Sequence, residues 1–133
     1  FCMTHHRVKC NELDMVRKYR GKIKILVHPE CEPDVVKKAD FVGSTSQIIK
    51  YVDKSDEKEF VIGTEMGILH SLKKQNPDKV FYLLSPSLIC SNMKKTRLED
   101  VHRALKDEIC EIKVDKDIMA AAKNSLELML RIS

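Results

Sequence analysis

The chain has 133 residues, of which 43% are apolar and 33% charged, with no tryptophan and a formal net charge of +4. That length suits one domain, or one domain and a trailing piece of another, and the apolar content fills a core without disulfide staples, which excludes a disordered chain. The basic residues are scattered in pairs such as Arg17-Lys18 and Lys37-Lys38, without the dense stripe and stacking aromatics of a nucleic-acid surface, and no run approaches the roughly 18 apolar residues of a membrane-spanning helix. In chain order, Asn11 to Arg20 reads as a helix, with Leu13 and Val16 on one face and Asn11 as its N-cap. Lys22 to Val27 alternates and then turns apolar, a strand that Pro29 stops, so His28 and Glu30 project from its C-terminal end. A short helix over Pro33 to Lys38 starts on a tolerated proline.

Phe41-Val42 is a brief strand, followed by Gly43-Ser44-Thr45-Ser46 and a helix to about Val52. Glu59 to Ile62 is the next strand, leading through Gly63-Thr64-Glu65 into a helix to about Lys74. Val80 to Leu84 is another strand. Thr96 and Glu99 have capping-box spacing ahead of a helix carrying Leu98, Val101 and Leu105. Glu111 to Val114 reads as a last strand, and Ile118, Ala122, Leu126, Met129 and Leu130 mark a final amphipathic helix. Strands alternating with helices imply an α/β fold, a parallel sheet covered on both faces in three αβα layers. Ligands bind such sheets at the C-terminal edge, where His28, Glu30, Gly43-Ser44-Thr45 and Gly63-Thr64-Glu65 all fall.

The five cysteines, Cys2, Cys10, Cys31, Cys90 and Cys110, are an odd number and argue against a secreted disulfide framework. The absence of a signal-like start favours the cytoplasm. The opening Phe1-Cys2-Met3 reads as mid-protein sequence, so a longer parent is expected. Cys2-Met3-Thr4-His5 and His28-Pro29-Glu30-Cys31 are the densest groups of soft ligands and acid–base residues. By spacing alone, Cys2, His5, His28 and Cys31 fit a tetrahedral zinc site, which would make the chain a non-catalytic zinc-binding module. Gly43-Ser44-Thr45 and Gly63-Thr64-Glu65 each start a helix with free N–H groups and hydroxyls, suited to an anion or to ordinary capping. Cys90, in a loop after a strand, can ligate a metal or lie buried. A third reading is an α/β fragment without metal.

Taken together, Cys2-x-x-His5, His28-Pro29-Glu30-Cys31, Val42-Gly43-Ser44-Thr45, Gly63-Thr64-Glu65-x-Gly67 and Cys90-x-Asn92-Met93-Lys94-Lys95 resemble quinolinate synthase, in order and in spacing, over essentially the whole chain. The resemblance implies one unit of a pseudo-threefold enzyme: residues 1–90 as the third αβα repeat, and 91–133 as a C-terminal helix, strand and helix that packs on a first unit missing from this chain. It implies condensation of iminoaspartate with dihydroxyacetone phosphate to quinolinate in NAD biosynthesis. L-Aspartate oxidase or aspartate dehydrogenase would act upstream, with neither nucleic acid nor membrane as partner.

The family's cofactor is a 4Fe-4S cluster on three cysteines. Cys2 and Cys90 match two of them, the third ligand lies upstream, and Cys31 is not carried over. The resemblance assigns His28 and Glu30 to catalysis, and His5, His28, Glu30, Ser44 and Thr45 to substrate binding. A partly desolvated Glu30 beside a cluster would titrate nearer neutrality. The role of Gly63-Thr64-Glu65 stays open. Members of the family are roughly twice as long, so the isolated polypeptide is expected to be inactive.

Overall fold

The computed structural model describes residues 2–132. They fall into two compact units, 1–91 and 92–133. In the first, the chain runs α1 (Met3–His6), α2 (Cys10–Arg20), β1 (Lys24–Val27), α3 (Pro33–Lys38), β2 (Phe41–Val42), α4 (Thr45–Lys54), β3 (Glu59–Gly63), α5 (Ile68–Gln75) and β4 (Val80–Leu83). The four strands form one parallel sheet in the order β2-β1-β3-β4. The α/β architecture expected from the alternation of strand and helix patterns is therefore present.

The layers follow from the two-residue period of the strands. Ile25 and Val27 of β1 and Val61 of β3 share a core with Leu13 of α2 and Val35 of α3. The intervening Leu26, Phe60 and Ile62 face the other way, into a core with Ile48 and Val52 of α4 and Ile68 and Leu72 of α5. Helices thus cover both faces of the sheet. Phe60 is fully buried and its ring stacks on Phe81 at 5.9 Å between centroids. Burying a side chain of that size is worth about 1.5–3 kcal/mol.

Local chemistry sets the element ends. Helix α2 begins one residue earlier than expected: Lys9 is its N-cap, and Glu12 Oε2 accepts the Lys9 N–H at 2.9 Å, so Asn11 lies in the first turn instead of capping it. Gly21 ends the helix at φ 62°, a left-handed conformation that glycine adopts without a Cβ penalty. The register places the strand ends together, Val27 opposite Val42 and Gly63, and Ile62 opposite Leu83. The residues after β1, β2, β3 and β4 therefore share the C-terminal edge.

The second unit consists of α6 (Leu98–Asp107) and α7 (Lys116–Ile132). The cap of α6 lies one residue beyond the expected Thr96 and Glu99 pair. Arg97 is the N-cap, and Asp100 Oδ2 accepts its N–H at 3.1 Å. The strand expected over Glu111 to Val114 is not formed. Those residues are exposed coil between the two helices, because a strand needs a neighbour to take its backbone hydrogen bonds and none of the described residues pairs with them. Asp115 starts α7 by accepting the N–H groups of Asp117 and Ile118 at 2.9 and 3.3 Å. The apolar residues of α7, including Ile118, Leu126, Met129 and Leu130, are exposed. No helix among the described residues is long and apolar enough to cross a membrane.

Candidate active site and metal centre

The edge beyond β1 and β3 gathers side chains from far apart in the sequence. β1 ends at Val27, and Cys31 N–H turns back onto the His28 carbonyl at 3.0 Å, so the strand gives way to a tight turn that holds His28 and Glu30 at the rim. Beside it, α1 brings His5 inward. Its ring is buried, and Nε2 hydrogen bonds Thr64 Oγ1 at 2.9 Å, where Thr64 follows the last residue of β3.

The His5 and His28 rings stack with centroids 4.1 Å apart and planes 8° from parallel. Glu30 Oε2 stands over both, 3.4 Å from His5 Nδ1 and 3.6 Å from His28 Nδ1. His28 Nδ1 also accepts the Glu30 backbone N–H at 3.2 Å, so a neutral His28 carries its proton on Nε2. Burial pushes the His28 pKa down, and the neighbouring His5 pushes it further, against a partial offset from Glu30. The ring is therefore held neutral.

Glu30 is the accessible member of this group, its carboxylate within reach of both rings.

Three donor atoms converge here. Cys2 Sγ, a ring nitrogen of His5 and a carboxylate oxygen of Glu30 lie within 4.8 Å of one another. His5 Nδ1 is buried with no hydrogen bond, the kind of orphan a cation relieves. The zinc set drawn from spacing is not the one assembled. Cys31 is buried, its thiol donates to the Gly63 carbonyl at 3.6 Å, and burial pushes its pKa up to about 11. His28 Nδ1 is engaged by Glu30. The converging set replaces Cys31 and His28 with Glu30, which a ligand-spacing argument does not find.

Cys90 reaches the same edge from the segment after β4. Its N–H donates to Glu65 Oε1 at 3.4 Å, and Met66 N–H donates to the Leu88 carbonyl at 2.9 Å. Cys2 and Cys90 are both half-buried and in no disulfide. Soft thiolates are the donors an iron–sulfur cluster takes, so the donor chemistry at this edge fits such a group, with the remaining ligand to come from elsewhere.

Ser44 and Thr45 begin α4. The Ser44 hydroxyl accepts the Gln47 N–H at 3.4 Å, and Gln47 Oε1 accepts the Ser44 N–H at 2.7 Å, the reciprocal hydrogen bonds of a capping box. Gln47, three residues after Ser44, was the overlooked signal of that box. Thr45 is exposed in the first turn.

Comparison with known proteins agrees with the motifs. A family model described as quinolinate synthetase A protein matches residues 1–131. The quinolinate synthase of Alkaliphilus metalliredigens is 62% identical over 132 residues, covering 99% of this chain and 44% of the relative. Those of Caldicellulosiruptor bescii and Clostridium kluyveri are 52% and 47% identical over 132 and 131 residues, covering 44% and 43% of their lengths. The chain therefore spans less than half the length of the curated relatives it matches. With a matching family model across nearly every residue and these identities sustained from end to end, the chain belongs to the quinolinate synthetase A protein family.

Proposed function

We propose that this chain is the third αβα unit, residues 1–90, and the C-terminal segment, 91–133, of a quinolinate synthase that condenses iminoaspartate with dihydroxyacetone phosphate. The observation that carries the reading is the convergence of Cys2, His5, His28 and Glu30 at one strand end, on the edge that also bears Cys90.

Cys2 and Cys90, with a thiolate from the rest of the parent protein, would hold a 4Fe-4S cluster. When bound, such a cluster supplies a Lewis-acidic iron. Glu30, with its side chain 38% exposed and 3.4 and 3.6 Å from the Nδ1 atoms of His5 and His28, accepts a proton from substrate. His28 presents Nε2–H as a hydrogen-bond donor to a substrate oxygen. His5, fixed by Thr64, flanks the opposite face of the His28 ring and limits its rotation. Ser44 and Thr45, at the start of α4, offer their hydroxyls to a substrate oxyanion. The enzyme acts in the cytoplasm on small molecules, downstream of an L-aspartate oxidase or aspartate dehydrogenase.

A second reading is favoured by the mixed sulfur, nitrogen and oxygen set of Cys2, His5 and Glu30: a single zinc ion. Anaerobic purification of the complete parent protein separates the two. The synthase reading expects brown protein, iron and sulfide in equal amounts, and quinolinate from the two substrates. Stoichiometric zinc, without iron and without product, would overturn it. The 133-residue polypeptide, reconstituted with iron and sulfide, is expected to make no quinolinate.

A further inference from the structure

We propose that Thr64 and Glu65 form a paired positioning device, in which one residue sets the ring of His5 and the next sets the loop that carries Cys90. The inference rests on the synthase reading above and assigns a role to the turn after β3.

The turn is anchored first. The Gly63 carbonyl accepts the His28 N–H at 3.1 Å and the Cys31 thiol at 3.6 Å, locking the end of β3 to the end of β1. A Cβ on Gly63 would sit 2.7 Å from Val27 Cγ1, so only glycine lets the strands close to this spacing. From this fixed point two side chains diverge. Thr64 is 2% exposed, and its hydroxyl meets His5 Nε2 at 2.9 Å. The opposite ring nitrogen, Nδ1, then faces the Glu30 carboxylate at 3.4 Å. Thr64 thereby holds the ring with Nδ1 toward Glu30.

Glu65 uses both carboxylate oxygens. Oε2 accepts the Gly67 N–H at 2.7 Å, which holds the side chain over its own turn, and Oε1 accepts the Cys90 N–H at 3.4 Å. The backbone bond from Met66 to Leu88 runs beside it. A metal-binding thiolate needs its backbone held where the sulfur must go, and outer partners of this kind are worth about 10–100-fold in metal affinity or activity. Two consecutive residues therefore fix the distance between the proton-handling pair and the Cys90 ligand.

The test uses the complete parent protein, purified anaerobically, with two pairs of variants. Glu65→Ala is expected to lower cluster iron, alter the electron paramagnetic resonance spectrum of the reduced cluster and speed its bleaching in air about tenfold or more. Glu65→Gln, which keeps one acceptor oxygen, should lie between. Thr64→Val is expected to keep full iron content while kcat/KM falls about tenfold and its pH profile shifts, and Thr64→Ser should restore both.

Two readouts are independent of iron. In metal-free protein, Glu65→Ala should speed hydrogen exchange of the Cys90 amide, and Thr64→Val should move the His5 ring nitrogen shifts. Unchanged cluster spectra and unchanged Cys90 exchange in folded Glu65→Ala, or unchanged pH profile and His5 shifts in Thr64→Val, would overturn the proposal. If the unsubstituted protein binds no iron, the synthase reading falls and takes the Cys90 half of the device with it. The exchange and nitrogen-shift results then decide the structural half by themselves.

Discussion

His5 and His28 lie ring upon ring, 4.1 Å between centroids, with a single carboxylate oxygen of Glu30 within 3.6 Å of both. Two imidazoles so placed cannot both take a proton without facing each other's charge. Burial and His5 together hold the His28 pKa below its ordinary value of 6.5. A histidine depressed in the folded state binds its proton more readily when unfolded, so its contribution to stability is present above 6.5 and is lost as pH falls below it. Urea denaturation of the metal-free chain should show stability declining from pH 7 to pH 5. In His28→Asn that decline should be shallower, and an equal slope would remove His28 as its source.

Cys31 should be chemically inert. With its pKa pushed up to about 11, only on the order of one thiol in a thousand is ionised at pH 8, and the thiolate is the nucleophile. Cys110 is exposed. Peptide mass spectrometry after a brief iodoacetamide pulse at pH 8 should find Cys110 labelled about tenfold or more ahead of Cys31. Comparable labelling would mean that the turn after β1 opens readily.

Gly63→Ala should destabilise the fold by about 1–3 kcal/mol through overpacking against Val27. The added methyl would lie 2.7 Å from Val27 Cγ1 and 3.1 Å from Leu84 Cδ2. Removing the Val27 methyls should relieve part of the clash, so the Gly63→Ala, Val27→Ala pair should be less destabilised than the sum of the single changes. Strict additivity in denaturant titrations would show that the strain lies elsewhere.

Asp40 ties the start of β1 to the α3–β2 connection. Its Oδ2 accepts the Ile25 N–H at 2.7 Å and pairs with Arg17, which also donates to the Ile23 carbonyl at 2.7 Å. Asp40→Ala leaves the Ile25 N–H without its acceptor and is expected to cost about 1–3 kcal/mol, measured by the shift in denaturation midpoint. Asp40→Asn retains an oxygen and should cost less.

The fold was legible where the pattern was strongly periodic. Lys24 to Val27, Glu59 to Gly63 and Val80 to Leu83 stand within two residues of the strands expected, because alternation and apolar runs report burial directly. Helix caps were misplaced by two residues at α2 and by one at α6, where Glu12 and Asp100 outcompeted the residues whose types suggested capping. The error at Glu111 to Val114 has a different origin: apolar alternation describes a strand's faces but says nothing about whether a neighbour exists.

What the sequence by itself determined was the layered α/β plan and the family, since periodicity and ordered motifs are written along the chain. It also put His28, Glu30 and Gly63-Thr64-Glu65 on one edge, because a parallel sheet collects the ends of its strands. Only the tertiary structure decided who meets whom there: Glu30 in place of Cys31 beside Cys2 and His5, Thr64 against His5, and Glu65 against Cys90. Those partners are separated by 25 to 59 positions, and their pairing depends on strand register and helix docking, which arise from packing and have no local signature.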